Sequence, residues 1–267
     1  MEQLYVFGTG NAAVIHYYNT CFAIRNEDRF FMVDAGGGNG ILQILDKMNV
    51  QYSQIHDLFV THEHTDHLLG VVWMVRFIAT RMLNGTYDGD LNIYCHDQLT
   101  STIDTFCRLT LQGKFYRLIG DRIHLIPVHD GETLSIMDYE VIFFDIHSTK
   151  ARQFGFTTTL KNGKKLTCVG DEPYNPICAP YVEGSDWLLH EAFCLYGERE
   201  RFKPYEKHHS TVMDAARLAE ELHIGNLVLW HTEDKSVGRR KELYLNEGKQ
   251  YYHGNLFVPD DGEILEL

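Results

Sequence analysis

The segment Thr61-His62-Glu63-His64-Thr65-Asp66-His67 puts three imidazoles and a carboxylate into seven residues, directly behind the apolar run HDLFV at 56–60 and ahead of LLGVVWMVRFIATRML. The first run reads as a short buried strand and the second as a largely buried helix, so the polar segment sits where a strand turns into a helix. One His in a polar loop is ordinarily solvated or hydrogen-bonded. Three His and one Asp alternating off a strand end form a converging set of donors suited to zinc, iron or manganese. Such a set is too crowded for one tetrahedral ion but suits two ions sharing the loop, which then need further ligands. Those must come from strand ends on the same edge, and His147 after YEVIFFDI, Asp171 after KLTCVG and His231 after NLVLW meet that rule.

The rest of the chain alternates strand and helix signals. QLYVF (3–7) is a strand, and the glycines behind it, Gly8 and Gly10, superficially resemble a dinucleotide fingerprint. That fingerprint needs a helix directly after the glycines. Here TCFAIR and RFFMVD follow, joined by Asn26-Glu27-Asp28, so a hairpin replaces the helix and the glycines are expected to serve a tight turn through positive φ. ILQILDKM reads as a helix, LNIYC as a strand, 97–110 as a helix, and ETLSI with YEVIFFDI as two more strands. FGFTTTL and KLTCVG flank Asn162-Gly163, which predicts a hairpin with a type I′ turn. DWLLH and NLVLW are further strands, and between them Thr211 and Asp214 offer a capping-box-like start to a helix over 211–223. No repeat, linker or charge block divides the chain. Residues 1–267 are therefore expected to form a single α/β domain, two sheets packed together with helices outside.

The charge balance, 24 Lys+Arg against 37 Asp+Glu for a net −13, argues against a surface built mainly to neutralise nucleic-acid phosphates. A basic cluster of Lys150, Arg152, Lys161, Lys164 and Lys165 is read as a solvated hairpin. Six isolated cysteines read as reduced, packed thiols. The N-terminal residues lack a basic, apolar leader pattern and no run approaches about 18 apolar residues, so a cytoplasmic protein without a membrane segment is the expectation.

Taken with FGTG at 7–10, the Asp-Gly-Gly-like segment at 34–37, FGF at 154–156, Gly170-Asp171, His190-Glu191-Ala192, His209-Ser210-Thr211 and His231, THEHTDHLLG resembles the metallo-β-lactamase fold superfamily, most closely its ribonuclease Z group. The resemblance spans nearly the whole chain and implies an αββα sandwich of two mixed β-sheets with helices on the outer faces. It implies that His62, His64 and His147 hold one divalent ion, that Asp66, His67 and His231 hold the second, and that Asp171 bridges them. Zinc is the expected metal, with manganese and iron accepting the same donors.

A water shared by two cations about 3.5–4 Å apart becomes a nucleophile near neutral pH, so hydrolysis is the expected chemistry. Asp66 is expected to accept or orient its proton, and His209 to protonate the leaving oxygen. The resemblance implies that Glu191 orients and charges His209. His190 is read as a buried positioning residue, and Asp34 as an outer partner of a metal-binding His.

The group that trims tRNA precursors carries an arm between the third histidine motif and the bridging aspartate, whereas only 171 − 147 = 24 positions separate His147 from Asp171 here. Phe193 and Glu172 also stand where that group has Thr. The expected activity is a phosphodiesterase acting on a small phosphodiester or nucleotide-type substrate, with RNA not favoured, no membrane partner, and a homodimer carried over from the resemblance. The competing readings are a true tRNA 3′-processing endonuclease, a hydrolase of a sulfate ester, lactone or thioester, and a non-catalytic metal-binding sensor.

Overall fold

A computed structural model describes residues 2–267. The described residues divide into two compact units, residues 2–8, 18–129 and 261–267, and residues 9–17 and 130–260.

The first unit contains β1 (Gln3–Gly8), β2 (Cys21–Asn26), β3 (Arg29–Val33), α1 (Gly40–Lys47), β4 (Ile55–Phe59), α2 (Thr65–Leu83), β5 (Leu91–His96), α3 (Asp97–Thr110), the single turn α4 (Gly113–Tyr116) and β6 (Ile123–Val128). The second contains β7 (Thr133–Ile136), β8 (Tyr139–Asp145), β9 (Phe154–Thr159), β10 (Lys165–Cys168), α5 (Ala179–Val182), β11 (Trp187–Glu191), α6 (Arg199–Phe202), α7 (Val212–Glu221), β12 (Asn226–Trp230), α8 (Arg240–Gly248) and β13 (Asn255–Phe257). The chain then re-enters the first unit as β14 (Ile264–Glu266), antiparallel to β1.

Each unit holds one mixed seven-stranded sheet, ordered β14-β1-β2-β3-β4-β5-β6 in the first and β13-β12-β11-β10-β9-β8-β7 in the second. In the first sheet β3 to β6 are parallel, so their carboxyl ends share an edge. In the second, β9 runs against both β8 and β10, while β10 to β13 are parallel, so β8, β10, β11 and β12 also end together. That common edge is what open α/β sheets use for sites.

Strand alternation explains the burial in the first sheet. Tyr5, Phe7, Ala23, Met32, Leu58, Val60 and Ile93 join one core with α1, α2 and α3. The alternate set, Leu4, Val6, Phe22, Ile24, Phe31, Val33 and Phe59, is buried too, so both faces of the sheet are covered. The long helix contributes Leu68, Val71, Met74, Val75, Ile78, Ala79 and Met82 at helical spacing. In the second unit α7 and α8 share a core with β11 and β12 through Val212, Ala216, Ala219, Leu188, Leu227 and Tyr244.

Three local expectations need correction. The helix expected from Leu68 begins at Thr65, placing Asp66 and His67 in its first turn, where an acidic side chain complements the exposed amides. Neither Gly8 nor Gly10 has positive φ. Gly8 supplies space instead, because a Cβ there would lie 2.1 Å from the Asn19 carbonyl oxygen. The β9–β10 hairpin forms as expected, but of the pair Asn162-Gly163 only Gly163 has positive φ, at 84°, so the turn is not type I′. Its closing bonds are Gly163 N–H to Leu160 O at 2.9 Å and Leu160 N–H to Lys164 O at 2.8 Å. Thr211 and Asp214 do form the capping box of α7. Seven elements, β6, β13, β14, α8 and the single turns α4, α5 and α6, carry no signal strong enough to be expected from the sequence.

Candidate metal centre

In the first unit the site is built on the end of β4 and the start of α2. Asp34, immediately after β3, is buried and held at φ +55°, a backbone region that non-glycine residues rarely enter. Its Oδ1 accepts the Thr61 amide at 2.8 Å, and its Oδ2 accepts the Thr61 hydroxyl at 2.8 Å and lies 2.7 Å from His67 Nδ1. A carboxylate can only accept, so His67 carries its proton on Nδ1 and turns Nε2 toward Asp66 Oδ2, 3.3 Å away. The Thr61 hydroxyl spends its one proton on Asp34, so it accepts from His62 Nδ1 at 3.0 Å. His62 Nε2 then presents its lone pair, 2.8 Å from His64 Nδ1. One aspartate thus sets the tautomer of two imidazoles, the outer-partner arrangement typical of metal-binding His.

This packing depends on Gly70. A Cβ there would sit 1.8 Å from the Ala35 carbonyl oxygen, and the Gly70 amide donates to Gly36 O at 2.8 Å. The helix carrying Asp66 and His67 therefore lies against the loop carrying Asp34. At the end of β5, His96 is buried and lies 3.6 Å from Glu63 through Nε2, while its Nδ1 caps α3.

In the second unit the candidates occupy the shared strand edge. His147 follows β8 at φ +59°, exposed, with its amide donating to Asp145 Oδ1 at 2.7 Å. Asp171 follows β10 and is buried, and His231 follows β12 at φ +55° with Nε2 3.5 Å from Asp171 Oδ2. Glu191 ends β11 with no exposed surface. Its Oε1 accepts the Ser210 amide and its Oε2 lies 3.6 Å from His209 Nδ1.

Phe193, where the ribonuclease Z pattern has Thr, stacks on the His209 ring at 4.9 Å and 7°. The His209 and His231 rings are 5.3 Å apart. His190 is buried with Nδ1 2.6 Å from the Glu191 carbonyl oxygen, which ties it to the β11 end rather than to a ligand position. The roles of Phe193 and Glu172 were not read from the sequence, although their departure from the Thr pattern marked both positions.

The donor chemistry fits divalent ions. His62, Asp66 and His67 in the first unit, and Asp171 and His231 in the second, belong to His/Asp groups able to hold a metal. All five are buried, where imidazole and carboxylate groups need such partners.

The family described as anti-Pycsar protein Apyc1 matches residues 2–243. The chain belongs to that family. It is 25% identical to a ribonuclease Z of Phocaeicola vulgatus over 88% of this chain and 90% of that one. Among solved structures it resembles the metallo-β-lactamase fold protein YhfI of Bacillus subtilis, with a TM-score of 0.79, 18% identity and coverage of 99% and 98% of the two chains. It also resembles the short form of human tRNase Z, with a TM-score of 0.76, 19% identity and the same coverage. This Apyc1-family chain therefore has the metallo-β-lactamase fold, with two mixed sheets and helices as expected, and is a ribonuclease Z-like, metal-dependent hydrolase. Among its described residues no helix is long and apolar enough to cross a membrane.

Proposed function

We propose that residues 1–267 form one binuclear phosphodiesterase domain whose substrate is a small, nucleotide-type phosphodiester. The observation that carries this reading is the Glu191–His209 pair, at 3.6 Å, on the same strand edge as Asp171 and His231. A phosphodiester expels a poor alkoxide leaving group and so needs a proton donor, whereas good leaving groups need little acid help.

In this reading His62, His64 and His147 hold one ion, Asp66, His67 and His231 the other, and Asp171 is shared. Bound there, divalent ions would lower the pKa of a water so that its hydroxide could attack phosphorus, and would offset charge on the phosphoryl oxygens. Asp66 orients the attacking water's proton. Glu191 Oε2, 3.6 Å from His209 Nδ1, favours the charged imidazole electrostatically, Phe193 fixes the ring plane, and Nε2 gives its proton to the leaving oxygen. Zinc is the preferred metal, and the location and assembly carried with this proposal are cytoplasmic and dimeric. The family description names an anti-Pycsar protein, and we carry that role to this chain.

A small substrate is supported by the connection between His147 and Asp171, which holds the β9–β10 hairpin and short loops only. Its cations are engaged within the chain. Lys161 Nζ donates to Asp138 O at 3.1 Å and Lys165 Nζ to Glu183 O at 2.7 Å, while Arg152 lies 3.5 Å from Asp145. Little remains there to grip a folded RNA.

The deciding experiment is hydrolysis of bis(p-nitrophenyl) phosphate by metal-loaded protein beside Asp66→Ala. Turnover lost in the variant supports a phosphodiesterase, while none with metals bound shifts the reading to another ester or to a sensor. A ribonuclease Z activity, suggested by the names of the curated relatives, would appear as cleavage of unprocessed tRNA with steep salt dependence.

A further inference from the structure

Glu172 follows the proposed bridging residue Asp171 and is buried, with 6% of its surface exposed. A carboxylate this deep needs several donors, and three consecutive residues supply them. The Ser148 hydroxyl donates to its Oε1 at 2.7 Å, the Thr149 amide donates to its Oε2 at 3.3 Å, and Lys150 Nζ lies 3.7 Å from Oε1. Those are the three residues directly behind His147.

The same segment reaches further. Thr149 Oγ1 is 2.9 Å from His208 Nδ1, and Lys150 Nζ donates to the Lys207 carbonyl at 3.1 Å. One buried carboxylate therefore ties together the loop of His147, the turn of Asp171 and the loop that leads into His209.

His147 itself is exposed and sits at φ +59°. A non-glycine residue keeps that backbone geometry only where its surroundings enforce it. Its own amide bond to Asp145 fixes one side of the residue. The three Glu172 contacts fix the other. The Thr usual at position 172 in ribonuclease Z has a single short hydroxyl, which cannot accept from Ser148, Thr149 and Lys150 together.

We propose that Glu172 is a positioning residue that holds His147 in its ligating conformation, and that this chain presets its third metal-site histidine through the Glu172–Ser148–Thr149–Lys150 contacts. The inference rests on the proposed reading of His147 as a ligand. Outer partners of ligating residues typically set metal affinity by about tenfold to a hundredfold.

The test is Co2+ titration of the full chain followed by visible absorption, with chelator competition and elemental analysis, for the wild type and for Glu172→Ala, Glu172→Gln, Ser148→Ala and His147→Ala. Wild type should bind two ions. Glu172→Ala should weaken one of them by about tenfold or more and leave the other unchanged. Glu172→Gln, whose amide oxygen still accepts the Ser148 hydroxyl, should fall between, and Glu172→Ala added to His147→Ala should cost nothing further.

Retention of both ions by Glu172→Ala at wild-type affinity, equal weakening of both, or additivity with His147→Ala overturns the inference. If wild type takes up no second ion, or His147→Ala keeps both, the metal-site reading itself fails, a result distinct from loss of one ion in His147→Ala alone. Should Glu172→Ala lose its circular dichroism, Glu172→Gln and Ser148→Ala decide in the same way.

Discussion

Asp34 Oδ2 and His67 Nδ1 lie 2.7 Å apart, both buried, across 33 residues of sequence. The contact joins the end of β3 to the first turn of α2 and leaves the imidazole only one usable tautomer. Asp34→Ala should therefore lower metal affinity or turnover by about tenfold to a hundredfold while the protein still folds. Metal content after dialysis, read beside turnover, checks this, and an unchanged metal complement would remove Asp34 from the site.

Loss of the His209 ring should act on chemistry rather than on binding of the ions. His209→Ala is expected to keep its metals and to lose about 10²–10⁴-fold in kcat on esters with poor leaving groups, with a smaller loss on nitrophenyl esters. Glu191→Gln should follow the same pattern more weakly. A leaving-group series at fixed pH separates this from a ligand role, in which His209→Ala would lose metal.

The contact between α2 and the loop after β3 leaves no room at Gly70. Gly70→Ala should destabilise the fold by at least about 1–3 kcal/mol, because the clash is with the backbone carbonyl of Ala35 and not with a side chain that can rotate away. Chemical denaturation measures it, and a wild-type midpoint would contradict the packing described.

Burial of Asp234 pushes its carboxyl up. The Ile15 amide at 2.7 Å, the Lys235 ammonium at 3.0 Å and the His16 amide at 3.2 Å more than offset this and hold it below the ordinary value of 3.8. A depressed folded value stabilises the fold above the unfolded value and loses that contribution as pH falls through the folded one. Asp234→Asn should therefore be less stable than wild type at neutral pH, with the gap closing below about pH 4. A gap that widens on acidification would reverse the assignment.

All six cysteines are buried. Burial raises the thiols, Cys178 to about 11 and both Cys107 and Cys194 to about 12, so little thiolate exists near neutral pH. Reaction with a disulfide reagent should be slow in the folded protein and release six equivalents on denaturation. Fast labelling of a native thiol would show that one of them is accessible.

The ligand segment at 61–67 was legible because its information is local. A strand end, four donors within seven residues and a following apolar helix fix one another through backbone periodicity alone. The capping box of Thr211 and Asp214 was legible for the same reason. Candidates at 147, 171 and 231 could be named because each follows an apolar strand, and strand direction then decides whether such ends share an edge. For β8, β10 and β12 it does.

Other features lay beyond that reach. The edge strands β13 and β14 are three residues each and acquire their identity only from β12 and β1. The turn at Asn162-Gly163 took its type from the strands it joins, and Gly8 its role from the approach of Asn19.

What the sequence determined by itself was the inventory of donors, the strands and helices that carry them, and the class of chemistry they suit. Tertiary structure alone decided which histidines Asp34 serves, His67 directly and His62 through Thr61, that Phe193 stacks on His209, and that Glu172 binds the segment behind His147. The physical reason is one of range. Periodicity and chelate spacing act over a few residues, whereas a hydrogen-bond partner for a buried carboxylate is chosen by whichever chain segment the packed strands and helices bring within about 3 Å.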